Sequence, residues 1–215
     1  MKKHLLALSL VLSLVALAKA QPKLGLKFSP VFVSSRVDLT SDTLDIFTSG
    51  SDFKFSIGLT VDQELSDTYF LSTGVVYIPK HVSIDITGEN GGTYSNTREE
   101  YSLQYLQIPI TLKLFTNEIA PDLSIFFQVG AGMEFKIYDA AVQEEFTLIN
   151  QFKPFDASVI LGAGAEYRAG VNTVLYAGGS IQRGLLGIVK ATSPDIGDEF
   201  YLRSGLISID LGIKF

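Results

Sequence analysis

The residues best suited to chemistry are His81, Ser83 and Asp85, which alternate just beyond the end of a predicted strand and could share one face there. A histidine beside a serine and a carboxylate is the combination with which hydrolytic enzymes activate a nucleophile. Side chains two residues apart on a strand are separated by about 6.5 Å, too far for a direct nucleophile–base hydrogen bond. We therefore predict that the chain is not an enzyme and interpret these residues as the polar end of a strand.

Metal ligands are the second kind of chemistry to consider. Carboxylates recur in the first and last long loops: Asp38, Asp42, Asp45 and Asp52, then Asp195, Asp198 and Glu199. Oxygen ligands of this kind suit calcium, but neither set has the spacing of an EF-hand loop, and acidic loops are ordinarily just solvated. We predict neither a metal nor a cofactor.

A glycine-rich repeat, Gly-x-Gly-x-Glu-aromatic-basic, occurs from Gly130 to Lys136 and again from Gly162 to Arg168. A phosphate-binding loop would need a following helix with free backbone amides, whereas both copies lie inside predicted strands. Glycines on the inner face of a narrow barrel instead make room for large neighbours. The repeat therefore predicts packing and no nucleotide site.

The first twenty residues have the pattern of an export signal. Two lysines precede an apolar run from Leu5 to Leu17, and an A-x-A cleavage site ends at Ala20. The apolar run is shorter than the ~20 residues that a membrane-spanning helix needs. We expect residues 1–20 to be cleaved off after Ala20 and residues 21–215 to form one exported domain.

Composition excludes several classes of function. Three of the 17 Lys and Arg residues lie in the leader, whereas all 23 Asp and Glu residues follow it, so the exported chain carries about nine net negative charges. Such a surface does not favour nucleic acid, whose phosphates need cations. Since the chain has no cysteine, it has neither disulfides nor thiolate ligands.

The elements that must position any site are predicted to be strands, because apolar and polar residues alternate with period two. Eight segments show this alternation: Lys23–Val37, Phe53–Leu65, Thr68–Lys80, Glu100–Phe115, Asp122–Tyr138, Phe155–Arg168, Asn172–Gly184 and Phe200–Phe215. Most exceed the ~5–6 residues of globular strands and reach the 9–11 that a tilted strand needs to cross a bilayer.

The connections between these strands alternate in length. Three are short: Ser66-Asp67, Thr116 to Pro121, and Ala169 to Val171. Four are long and polar: Asp38–Asp52, His81–Glu99, Asp139–Pro154 and Leu185–Glu199. Short periplasmic turns and long extracellular loops are the rule for bacterial outer-membrane barrels.

The two faces of the strands indicate the solvent. In the second strand, the apolar series from Phe53 to Val61 alternates with Lys54, Ser56, Gly58, Thr60 and Asp62. Glycine, hydroxyl and charged side chains are too small and polar to fill the dry interior of a soluble barrel, so the apolar face must meet hydrocarbon. The fold class predicted is all-β: an eight-stranded antiparallel up-and-down transmembrane β-barrel.

Two strands are irregular. In the fourth, Tyr101, Leu103 and Tyr105 have one parity and the apolar residues from Ile108 onward the other, so we predict a bulge near Leu106 that brings both sets outward. Pro109 then faces inward. The pair Gly178-Gly179 leaves the facing of the seventh strand open.

The charged residues on the inner face form the candidate site. Those expected in the periplasmic half are Lys27, Asp62, Lys113, Glu166, Arg168, Asp210 and Lys214, and those nearer the cell surface are Lys54, Glu134 and Lys136. Buried charges persist only when paired, and an eight-stranded barrel has room for little beyond side chains. We predict an ion-pair network that fills the lumen, with a narrow ion path as the alternative.

Two segments have the pattern of a known family. Tyr105-Leu-Gln-Ile-Pro-Ile-Thr-Leu-Lys-Leu-Phe115 is close to Y-L-x-I-P-L-x-x-K, and Gly184-Leu-Leu-Gly-Ile188 matches G-L-x-x-I. Both resemble segments of the PorT-like outer-membrane β-barrel proteins of Bacteroidota. Gly130-Ala-Gly-Met-Glu134 and Gly162-Ala-Gly-Ala-Glu166 resemble their glycine-rich strands. The likeness spans the whole exported chain.

This resemblance implies an outer-membrane barrel inserted by the barrel-assembly machinery. That machinery reads a last strand that ends in an aromatic residue, and the corresponding face here consists of Ile209, Leu211, Ile213 and the terminal Phe215. It implies no activity, so we expect a structural, adhesive or secretion-accessory protein. A lipid A-modifying outer-membrane enzyme is the remaining alternative. Expected partners are outer-membrane lipid, lipopolysaccharide and envelope or secretion proteins, with loop contacts at Phe47, Tyr94 or Phe146.

Overall fold

The computed structural model describes residues 22–38, 45–48, 50–87, 97–142, 149–192 and 201–215. Eight long strands lie in these ranges: β1 (Lys23–Asp38), β3 (Ser51–Glu64), β4 (Tyr69–Thr87), β5 (Thr97–Phe115), β6 (Leu123–Ala141), β8 (Phe155–Arg168), β9 (Val174–Gly184) and β11 (Tyr201–Lys214). Three strands of four residues accompany them: β2 (Asp45–Thr48), β7 (Ile149–Phe152) and β10 (Val189–Thr192). No helix capable of crossing a membrane occurs in the described ranges.

The eight long strands close into a barrel, as predicted. Each pairs antiparallel with the next in the order β4-β3-β1-β11-β9-β8-β6-β5, and β5 returns to β4. The last strand closes against the first, with Gly25 opposite Lys214 and Val37 opposite Leu202. The short connections β3–β4, β5–β6 and β8–β9 lie together at what we call the short-turn end, and the opposite end is the long-loop end.

Alternation along the strands separates an apolar outer face from the lumen. Outward side chains are half exposed along the whole wall: Leu26, Phe28, Ile57, Leu59, Phe127, Val129, Leu161, Ile181, Ile207 and Ile209. Strand β9, whose facing the sequence left open, places Tyr176, Ser180 and Gln182 inside. A continuous apolar outer face with an inner face of opposite parity is the arrangement of a membrane barrel.

The predicted bulge in the fourth strand is wrong. Strand β5 keeps one parity throughout, so Tyr101, Leu103 and Tyr105 are fully buried inside and Ile110 lies outside. The register shift occurs where Gln104 pairs with Tyr138 and Tyr105 with Lys136, so the extra residue is Ile137 on the neighbouring strand β6. Pro109 lines the lumen, as predicted.

The inner face is not polar throughout, although the sequence shows mainly glycine, hydroxyl and charged residues on it. The long-loop half holds a buried apolar cluster: Val31, Val33, Val76, Ile78, Val82, Ile84, Tyr101, Leu103, Tyr105, Ile149, Phe152, Ile188, Leu202 and Leu206. Strands β7 and β10 pair as a small ribbon that contributes to this cluster. The ribbon lies in segments predicted to be loops, because four-residue strands are too short to show a period.

Candidate functional site

The lumen near the short-turn end contains a cluster of four buried charged side chains. Lys113 Nζ lies 2.9 and 3.1 Å from the two carboxylate oxygens of Asp62. Lys214 Nζ donates to Asp62 at 2.5 Å and also to Glu166. Ser72 donates a further hydrogen bond to Asp62. Two cations face two carboxylates, so the cluster is electrically neutral, which buried ions require.

Aromatic rings enclose these ammonium groups. Lys214 Nζ lies 5.0 Å from the ring centroid of Tyr176, and Lys113 Nζ lies 5.5 Å from that of Phe126. Both distances are within the range in which a cation is attracted to the face of a ring. The rings therefore pack against the cluster and stabilise its cations.

Two inward glycines give these rings their space. A Cβ built on Gly212 would lie 2.4 Å from the Tyr176 ring, and one built on Gly164 would lie 2.7 Å from the Phe126 ring. No real Cβ approaches another heavy atom so closely. The packing role predicted for the inward glycines is thus borne out at Gly164, which lies in the second copy of the repeat.

A second ion pair lies farther along the lumen. Lys27 Nζ is 3.0 Å from Asp210 Oδ1, and Ser29 and Ser208 each donate to the same carboxylate at 2.8 Å. Ser208 is in turn 2.6 Å from Ser180 on β9. These hydrogen-bonded residues lie on the neighbouring strands β1, β11 and β9.

A third cluster centres on Lys80, which was not among the predicted lumen charges. Its Nζ lies 2.5 Å from Glu134 and 2.7 Å from Asp156, and 4.3 Å from the Tyr105 ring centroid. Gln107 donates to Glu134 at 2.8 Å. Lys80 was the last residue of its predicted strand and Asp156 has inward parity, so extending the parity argument to strand ends would have found both.

Free space in the lumen falls steeply from one end to the other. A cavity of about 270 Å³ opens at the short-turn end beside Asp62 and Lys214. A cavity of about 40 Å³ follows between Lys27 and Gln107, and one of about 10 Å³, the size of a single water, adjoins Lys80. Side chains therefore fill the lumen up to the apolar cluster.

Three predicted lumen cations lie elsewhere or have local partners. Arg168 is a correction: its side chain is 58% exposed at the short-turn end, 3.5 Å from Glu118 and 3.6 Å from Asp122. Its parity is inward, but the strand ends there, so the side chain reaches the rim. Lys136 pairs with Asp139 at 2.5 Å, and Lys54 lies 3.6 Å from Asp52 near the long-loop end.

Replacing Arg168 with glutamine is expected to change the free energy of unfolding by less than about 1 kcal/mol, because exposed ion pairs are screened by water. Urea unfolding of the purified barrel would measure this change. A loss comparable to that caused by removing a buried charge would contradict the rim position of Arg168.

The candidate serine is not hydrogen-bonded to the candidate histidine or carboxylate. His81 Nδ1 lies 3.1 Å from Asp52 and its Nε2 lies 3.9 Å from Glu100. Ser83 is buried, and its Oγ has no hydrogen-bond partner among the described residues. The β3–β4 ladder ends at Ile57 and Tyr77. Between that point and the long-loop end, the contact of His81 with Asp52 connects the two strands.

Most of the candidate metal ligands lie outside the described residues. Asp42, Asp195, Asp198 and Glu199 lie outside the described residues, as do Tyr94 and Phe146, and the side chains of Asp38, Asp45 and Phe47 are likewise not described. Within the part of the chain that the structure describes, no group of three or more His, Asp or Glu is arranged to hold a metal.

Comparison with known proteins gives one family match, to the outer membrane protein beta-barrel domain, over residues 20–188. Among solved structures, OprG from Pseudomonas aeruginosa has a TM-score of 0.57 at 11% identity, covering 92% of this chain and 97% of that one. Neisserial surface protein A has a TM-score of 0.49 at 12% identity, covering 90% and 97%. No curated protein matches the chain. At such identity, the likeness to OprG shows a shared fold.

Proposed function

Because the chain belongs to the family of outer membrane protein beta-barrel domains, we propose that it is a non-enzymatic, non-conducting scaffold of the outer membrane to which envelope proteins bind. Within the family, the segments Tyr105–Phe115 and Gly184–Ile188 support a PorT-like barrel of Bacteroidota. A role as accessory to a secretion system accompanies that assignment. The short-turn end then faces the periplasm and the long-loop end the cell exterior.

The observation that carries this proposal is the filling of the lumen. An ion that crossed the barrel would have to displace the Asp62–Lys113–Lys214 ion pairs and then enter the apolar cluster around Tyr101 and Tyr105. Separating buried charges and placing an ion among apolar side chains both cost several kcal/mol. A barrel built in this way favours holding a shape over passing a solute.

The outer face supports insertion and lipid contact. The outward residues of β11 at the periplasmic end, Ile209, Leu211 and Phe215, are 52, 43 and 59% exposed, and Ile213 is half-buried. We infer that the barrel-assembly machinery reads this face during insertion and that phospholipid and lipopolysaccharide cover the wall afterwards. These contacts follow from the apolar band and need no specific pocket.

The scaffold proposal predicts that the purified protein reconstituted in planar bilayers gives no conductance steps above the lipid baseline. Folded protein is identified beforehand by heat-modifiable migration on gels, so that silence is not mistaken for failed insertion. Steady steps whose size changes in Lys214→Met would establish the channel alternative, since Lys214 lies in the lumen. A lipid A mass shift that is lost in His81→Ala would establish the enzyme alternative.

A further inference from the structure

A vestibule of about 270 Å³ opens at the periplasmic end of the barrel, and all eight long strands contribute to its lining. Its floor is the buried cluster of Asp62, Glu166 and Lys214, whose mutual ion pairs hold it in place. Because the described side chains nearly fill the lumen beyond the floor, a ligand would reach the vestibule from the periplasm and not through the barrel. It is therefore a preformed concave site.

The charges of the vestibule are not balanced. Its lining contains five carboxylates and three cations: Asp62, Asp67, Glu118, Asp122 and Glu166, with Lys23, Arg168 and Lys214. Lys113 and Lys214 neutralise the floor, and Arg168 is shared between Glu118 and Asp122. Among the described residues, no cation lies within ion-pair distance of Asp67, so the rim attracts a positive group.

Aromatic faces lie beneath this rim. Phe70 and Phe115 contact each other edge to face, with centroids 5.1 Å apart. Lys23 extends its ammonium group over Phe70, 5.5 Å from the centroid, without a carboxylate in ion-pair range in the described ranges. This lysine shows what the vestibule accepts: an alkyl stem against phenyl rings and an ammonium group near carboxylates.

We propose that the vestibule binds a Lys or Arg side chain of a periplasmic polypeptide, and that Lys23 partly occupies the position such a side chain would take. A polypeptide fits because Asp67 and Glu118 lie on two different turns around the opening, where a chain passing over the rim meets both. The inference rests on the proposed scaffold role and identifies the chemistry of its partner.

The test uses the barrel in lipid nanodiscs and a fluorescent peptide with two lysines separated by neutral residues, with binding followed by anisotropy at low salt. The double variant Asp67→Asn/Glu118→Gln should bind about fivefold more weakly, because each exposed carboxylate contributes little by itself. Lys23→Gln should bind more tightly, because it removes both a like charge and the internal occupant. Asp52→Asn, at the opposite end, is the matched control and should bind as the wild type does.

Opposite results would overturn the proposal. A glutamine-substituted peptide that binds as tightly as the lysine peptide would show that the cation is not recognised. Weaker binding in Lys23→Gln would indicate an anion site, and spermidine binding more tightly than the peptide would remove the polypeptide partner. These measurements are independent of conductance, so a conducting barrel would contradict the scaffold role without affecting them.

Discussion

Replacing Asp62 with alanine is expected to destabilise the barrel by about 3–5 kcal/mol, because two buried ammonium groups lose their common partner. Asp62 accepts hydrogen bonds from Lys113, Lys214 and Ser72. Only Glu166 would remain to neutralise both lysines. Since the chain has no tryptophan, urea unfolding in detergent micelles is best followed by circular dichroism and by loss of heat-modifiable migration.

The matched control is Glu118→Gln, which removes a carboxylate of the same end that is about half exposed. The double variant Asp62→Ala/Lys113→Met should recover part of the loss, since it removes the unpaired cation together with its partner. If Asp62→Ala unfolded at the same urea concentration as the wild type, the cluster would contribute nothing to stability, and the lumen would be held by packing alone.

Substituting Gly212 with alanine is expected to cost about 1–3 kcal/mol through overpacking and to slow assembly of the barrel. The added methyl group would lie 2.3 Å from the Leu26 carbonyl oxygen and 2.4 Å from the Tyr176 ring. The carbonyl belongs to the β1–β11 closure, so it cannot move aside without opening the ladder. Unfolding and refolding in lipid vesicles, followed by gel migration, would measure both effects.

Gly179→Ala is the control for this substitution. Its methyl group would lie 3.4 Å from the nearest atom, an ordinary contact, and the residue faces outward. Both substitutions reduce the freedom of the unfolded chain equally, so their difference isolates the close approach. Equal stability of the two variants would show that Tyr176 can turn away and that Gly212 is not required.

Much of the barrel could be predicted from the sequence because alternation is a local property. The strands from Phe53 to Glu64 and from Phe155 to Arg168, for example, each show an apolar and a polar face in their own sequence, without reference to neighbouring strands. The lengths of the connections likewise indicated the up-and-down order. Parity also placed Lys27, Asp62, Lys113 and Lys214 inside, where the structure has them.

Parity did not identify the partners within the lumen. Asp62 and Lys214 are separated by 152 residues and meet only because of how β1 closes against β3 and β11. Lys80 reaches Asp156 across the lumen in the same way. Such pairs depend on the register of strands far apart in the chain, which no local pattern contains.

The other feature that the sequence pattern did not predict is the set of apolar residues on the inner face. Tyr101, Leu103 and Tyr105 look like lipid-facing residues, since an apolar side chain suits hydrocarbon and a packed interior equally. The ribbon of β7 and β10 decides between them, because its Ile149 and Phe152 pack in the same buried cluster as these side chains.

The sequence by itself determined an alternating barrel with charges of both signs turned inward, because these follow from period-two geometry. Only the tertiary structure decided how those charges pair and that an apolar cluster fills the long-loop half of the lumen, because both depend on contacts between distant strands.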